Sequence, residues 1–223
     1  MKAVAFFDVD NTLIKGYSGY YATLELIRRG IIKKRRLLQA LYYQLLSPIY
    51  YGNVRKMYEI AIRDMAGSSL EKILEIGEEV FQKKIKHCFY IEALEKIQDH
   101  RLAQDRIALI SSGPYMIVKA IADYLKVDTL FAVGPVVQNK ILQNRLETPF
   151  CFQEGKLQLA QDYVQQLDVS LDQCSFYSDS IQDLLLLKAV GYPKVVNPDF
   201  SLKGAALKYK WPILNFKTLV VNC

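Results

Sequence analysis

Hydrophobic residues along this chain fall into two kinds of pattern. Short unbroken apolar runs, KAVAFF (2–7), RIALIS (106–111), TLFAVG (129–134), CSFYS (174–178) and KVV (194–196), end at polar or turn residues and have the length of strands. WPILNF (211–216) predicts a last strand at a sheet edge, because Pro212 has no N–H to give to a central ladder. Between these runs the apolar positions recur every three or four residues: YIEALEKIQDHRL (90–102), YMIVKAIADYL (115–125), KLQLAQDYVQQL (156–167), IQDLLLLKAV (181–190) and SLKGAALKY (201–209). Apolar strands alternating with amphipathic helices predict an α/β fold, a parallel sheet with helices on both faces.

One interval breaks the alternation. From residue 16 to residue 88 the pattern is helical throughout: YYATLELIRR, RRLLQALYYQLL, VRKMYEIAIRDMA and LEKILEIGEEVFQKKIKH, punctuated by Gly30, Pro48, Gly52 and Gly67. SSLE at 68–71 predicts a capping box with Ser68 as N-cap and Glu71 as its partner. The expected organisation is therefore a core of residues 1–15 and 89–223 with a helical bundle, 16–88, inserted after the first strand. Charge separates the two parts. The insertion carries 13 Lys/Arg against 7 Asp/Glu, which is the whole of the net charge of +6. Its uncharged stretch LLQALYYQLLSPIYY (37–51) is shorter than the roughly 17–25 residues that span a bilayer and contains Pro48, so it does not predict a transmembrane helix.

Composition adds little beyond excluding disorder and fibrous classes, with 51% hydrophobic and 23% charged residues. The four cysteines are scattered without zinc spacing, and no signal-peptide pattern opens the chain; both features lead to the expectation of a reduced, cytoplasmic protein.

The candidate chemistry begins in FFDVDNTL, where the first strand runs into Asp8 and Asp10. Two carboxylates so close repel unless a cation lies between them or one holds a proton. Residues i and i+2 of an extended segment point to the same side, and ligands of parallel sheets bind beyond the carboxyl ends of strands. Three further features sit at equivalent positions. Ser111 and Ser112 end a second strand before a helix expected from Pro114, Lys156 opens another helix, and Asp179 ends a strand with Asp183 four residues on. Each alone is explained as well by a turn, a solvated side chain or a helix cap. Together they assemble acids, one lysine, hydroxyls and backbone amides at one end of one sheet.

That set, D-x-D-x-T at Asp8, Asp10 and Thr12, then Ser111, Lys156 and the pair Asp179 and Asp183, resembles the haloacid dehalogenase superfamily. With the insertion between the first and second motifs, the chain is similar to the phosphoserine-phosphatase-like subfamily IB, and its tail to an uncharacterised bacterial branch. The resemblance implies a Rossmann-like sheet with an α-helical cap and a phosphatase acting on a small-molecule phosphomonoester. It implies Asp8 as nucleophile and Asp10 as acid and base, with Thr12, Ser111, Ser112 and Lys156 binding phosphate. Magnesium would be held by Asp8, Asp179 and the main-chain carbonyl of Asp10, with Asp183 in support.

Substrate choice is expected to lie in the insertion. Phosphoserine phosphatases carry an acid soon after the first motif that reads the amine, whereas IKGYSGYY here holds none before Glu25. Tyr17, Tyr20 and Tyr21 become the specificity candidates, and the expected substrate is small or amphiphilic and anionic, such as a lysophospholipid. The alternative from another class is a non-catalytic module docking its basic insertion on an anionic membrane surface. No recognition motif accompanies the charge to suggest nucleic acid.

Overall fold

The computed structural model describes residues 3–35 and 52–220. The helix expected over 35–46, the uncharged stretch 37–51, Arg36 and Cys223 therefore fall partly or wholly outside the described residues.

The first strand, β1 (Val4–Phe7), is buried on both faces and leads directly into Asp8. The insertion follows, with α1 (Ser18–Arg28), α2 (Gly52–Met65) and α3 (Leu70–Val80), the last continuing through a π turn at Phe81–Ile85. Then come α4 (Ile91–Leu102), β2 (Arg106–Pro114), α5 (Tyr115–Leu125), β3 (Thr129–Val133) and a hairpin of β4 (Pro135–Gln138) and β5 (Ile141–Leu146). The chain closes with α6 (Glu154–Gln166), β6 (Ser175–Ser178), α7 (Leu184–Ala189), β7 (Tyr192–Val196), α8 (Phe200–Tyr209) and β8 (Ile213–Leu214).

Six strands form one parallel sheet in the order β3-β2-β1-β6-β7-β8, with the proline-bearing β8 at the edge as expected. Side chains alternate between faces. Ala5, Phe7 and Leu109 join one apolar cluster, and Val4, Phe6, Ala108 and Ile110 the other. The order reverses between β1 and β6, and such a switch point opens a crevice at the strands' carboxyl ends. The architecture is α/β and Rossmann-like, with an α-helical insertion after the first strand.

The insertion is tied to the core at its stems and along one helix. Lys15 N donates to Cys88 O at 2.8 Å, and Tyr90 N to Leu13 O at 3.0 Å. Its buried residues Leu26, Met65, Ile73 and Ile76 belong to the same apolar cluster as Phe7 and Leu109. At Gly77 the backbone of α3 comes so near α5 that a Cβ would lie 2.3 Å from Met116 O. No side chain larger than hydrogen fits there.

Three local expectations need correction. The cap of α3 is Ser69, whose Oγ accepts from Lys72 N, so Glu71 falls one place short of the capping-box position. The helix expected from Ile181 begins as a 3-10 turn, Ile181–Asp183, and is α-helical only from Leu184. The hairpin was not anticipated. Asn139 and Lys140 both adopt positive φ, 51° and 63°, the backbone of a two-residue primed turn without its usual glycine. This hairpin reaches the insertion: Leu142 N donates to Ser68 O at 3.0 Å and Gly67 N to Leu142 O at 2.9 Å.

Candidate active site

The chain turns sharply after β1. Val9 O accepts from Leu13 N and Ile14 N, Asn11 takes a positive φ of 54°, and Asn11 Oδ1 accepts from Gly16 N at 3.0 Å. Asn is among the few residues with a side chain that tolerate this left-handed conformation. The turn holds Asp8 at the mouth of the switch point, its N–H donating to Tyr177 O on β6 at 2.9 Å. Asp10 Oδ1 accepts from Ser18 N, the first residue of α1, at 2.9 Å.

At the centre is Lys156. Its Nζ donates to Asp8 Oδ1 at 2.9 Å and to Asp183 Oδ2 at 2.8 Å, and the side chain is 2% exposed. Ser178 Oγ donates to the same Asp183 oxygen at 2.7 Å. The approach of α6 to this point depends on Gly155, where a Cβ would stand 1.7 Å from Phe150 O. Burial alone would depress the ammonium of Lys156, but Asp183 and Asp8 outweigh it and raise its pKa. Lys156 is therefore a fixed cation. Asp8 is pushed the other way. Burial raises it, Lys156 pulls it down, and repulsion from Asp183 and Asp10 adds to the rise. Burial likewise raises Asp179, with Asp8 and Asp183 repelling it, and raises Asp10 against the hydrogen bond from Ser18.

A second loop comes from β2. The register with β3 shifts between Ile110 and Pro114, which lifts Ser111–Gly113 out of the ladder. Ser111 is buried and its Oγ accepts from Gly113 N at 3.0 Å. A Cβ on Gly113 would meet both Ser111 Oγ and Ser18 Oγ at 3.2 Å, so these hydroxyls flank one small space. Ser18 is fully buried, and its hydroxyl completes no hydrogen bond of good geometry among the described residues, although it lies near the Asp10 carboxylate. Such a group is normally satisfied by a ligand or water.

Asp8, Asp10, Ser111, Lys156, Asp179 and Asp183 thus gather at the strand ends. Thr12, expected among the phosphate-binding groups, is fully buried and its Oγ1 donates to Asp179 Oδ1 at 3.4 Å. Ser112 contributes its carbonyl, which accepts from Tyr58 Oη at 2.6 Å. Of the tyrosines, Tyr17 and Tyr20 are 68% and 61% exposed and line a cavity beside the site, whereas Tyr21 packs on the apolar core. Sequence reading passed over Ser18, Tyr58 and Ser178. Only Ser178, adjacent to Asp179 at a strand end, carried any local signal.

A divalent ion fits the donor set. Asp8 and Asp179 offer carboxylate oxygens and Asp10 a main-chain carbonyl, the hard ligands magnesium prefers, and these carboxylates repel one another in a buried site. Among the described residues no three acidic, imidazole or thiol side chains form a ready-made metal cluster. Magnesium, which keeps several water ligands, does not need one.

Comparison with known proteins agrees with this geometry. The family model of haloacid dehalogenase-like hydrolases matches residues 5–188. A Mycobacterium tuberculosis protein named as a phosphoserine phosphatase is 30% identical over 97% of this chain and 72% of its own. A histidinol-phosphatase of Neisseria meningitidis is 27% identical over 97% of this chain and 100% of its own. Among solved structures, a Bordetella pertussis protein of unknown function superposes with a TM-score of 0.85 at 24% identity, covering 96% of this chain and 99% of that one. A phosphoserine phosphatase in apo form gives 0.64 at 18%, covering 97% and 94%. With the family model spanning β1 to α7 and the motif acids converging where the sheet order reverses, the chain belongs to the haloacid dehalogenase-like hydrolase family.

Proposed function

We propose that this enzyme is a phosphatase that cleaves phosphomonoesters through a phosphoryl group carried briefly on Asp8. The observation that carries the reading is the buried Lys156 ammonium, 2.9 Å from Asp8 and held from behind by Asp183. It fixes a carboxylate nucleophile and places a permanent positive charge beside it, which suits attack on an anionic phosphoryl group.

One oxygen of Asp8 attacks phosphorus in line as the ester oxygen departs. Asp10, raised by burial and so able to hold a proton, gives it to that oxygen and then takes one from the water that hydrolyses the phospho-aspartate. Lys156, the Ser111 hydroxyl and the amides of the two turns stabilise charge on the remaining phosphoryl oxygens. Asp8, Asp179 and the Asp10 carbonyl would hold magnesium, which would supply further charge neutralisation there. Asp183 positions Lys156, and the insertion, residues 16–88, serves as the cap. With Tyr17 where phosphoserine phosphatases carry an acid, the substrate is an anionic, small or amphiphilic ester without a neighbouring amine.

Phosphate release from a panel of phosphomonoesters, with magnesium and after chelation, tests the proposal. Asp8→Asn should lower turnover by a factor on the order of 10⁴ or more and abolish phosphate trapped on acid-quenched protein. Asp179→Asn should raise the magnesium concentration needed for half-maximal rate. Wild-type turnover in Asp8→Asn would remove the nucleophile.

A further inference from the structure

A cavity of about 910 Å³ lies between the insertion and the core, within the range of small-molecule pockets. Its walls come from α1, α2, α3, the start of α5 and the β4–β5 hairpin, and its depth is formed by Leu26, Met65, Ile73 and Leu142. Glu147 is the one charged side chain among the described lining residues. The cavity adjoins the catalytic end. Tyr17 and Gly19, which line it, flank Ser18, whose N–H holds Asp10. Tyr58 lines it too, donates to Ser112 O at 2.6 Å and is near enough to Asp10 to feel its charge. Pro114, which also lines it, follows the Ser111–Gly113 turn.

With Asp10 as the proposed acid, a phosphoryl group at Asp8 has its ester oxygen facing Asp10 and Ser18, next to this apolar chamber. A sugar or nucleotide would leave most of its polar groups without partners against these walls. We infer that the chamber takes an unbranched hydrocarbon chain, so that the preferred substrates are phosphomonoesters of a single long alkyl or acyl chain. This rests on the phosphatase reading and adds the substrate class. The tyrosines at the rim suit the boundary between headgroup and chain, with an apolar ring and a polar hydroxyl.

The test is kcat/KM for a series of straight-chain alkyl phosphates, from ethyl upward, held below their micelle-forming concentrations. Each added methylene that enters the chamber should raise kcat/KM by up to about fourfold until the chamber is full. Ala61→Trp, or Val137→Trp on the exposed hairpin if the first does not fold, should shorten the length at which the gain stops; each variant is normalised to its own rate on ethyl phosphate. Hydrolysis of short esters without any gain from chain length would overturn the inference and leave the phosphatase intact. An unchanged stopping length in a folded variant would also overturn it, by placing the chain elsewhere. Failure to hydrolyse any ester would instead overturn the phosphatase reading.

Discussion

The carboxyl end of the sheet and the chamber beside it are built on opposite principles. In the first, position is set by directed bonds. Lys156 is fixed by two carboxylates, Asp183 by Lys156 and Ser178, and Asp10 by Ser18. In the second, apolar side chains from the insertion's helices, α5 and the hairpin set a shape and little else. Directed polar networks tolerate almost no substitution, because a lost partner leaves a buried charge or dipole unpaired. Apolar walls tolerate swaps of similar volume at modest cost. The contrast suits a phosphatase whose reaction stays fixed while its substrate varies.

The largest expected effect attacks the polar half. Lys156→Met removes the cation between Asp8 and Asp183, and breaking a buried pair of this kind costs about 3–5 kcal/mol. Urea denaturation should show it, and adding Asp183→Asn should recover part of the loss by removing one stranded charge. A loss under about 1 kcal/mol would mean that the cluster is no more rigidly specified than the chamber. Next comes the joint between the halves. Gly77→Ala drives a methyl group into Met116 O, and overpacking should cost about 1–3 kcal/mol in the thermal or urea midpoint. It should also raise KM for long-chain esters more than for short ones, because α3 forms a chamber wall.

The smallest effect lies away from both and serves as a reference. Glu92 at the start of α4 accepts from Lys217 N and Thr218 N, tying the C-terminal segment down. Burial tends to raise this carboxyl, but the hydrogen bonds outweigh it and hold its pKa below the usual glutamate value. A depressed pKa contributes stability above the unfolded value of about 4.5, lost as pH falls through the folded value. Unfolding midpoints of wild type and Glu92→Gln should therefore differ at pH 6 and converge toward pH 3. A constant difference across that range would assign Glu92 a role independent of its charge.

The same contrast explains what the sequence disclosed. The parallel strands announced themselves as apolar runs because both faces of β1 and β6 are buried. Asp8, Lys156, Asp179 and Asp183 stood out because charge at a strand or helix end is conspicuous and ordered along the chain. The β4–β5 hairpin went unseen because Asn139-Lys140 lacks the glycine that marks such turns. The bond from Thr12 to Asp179 was not legible, because only the turn geometry aims that hydroxyl at the acid. The chamber was invisible for a different reason. Its walls converge from distant segments, and each lining residue in isolation reads as an ordinary core position.

The N–H of Ser18 that holds Asp10 belongs to the inserted helix α1, while Asp8, the proposed nucleophile, directly follows the strand β1 of the core. The proposed acid is thus gripped from the side of the insertion. On the proposed mechanism, displacing α1 from the core would loosen Asp10 while Asp8 stays held by Lys156. Synchrony between enclosure and proton delivery then needs no signal passed through the protein. With α1 displaced, the proposed nucleophile would remain in place and the proposed acid would be slack, so that an ester could enter, or alcohol and phosphate could leave, without reaction.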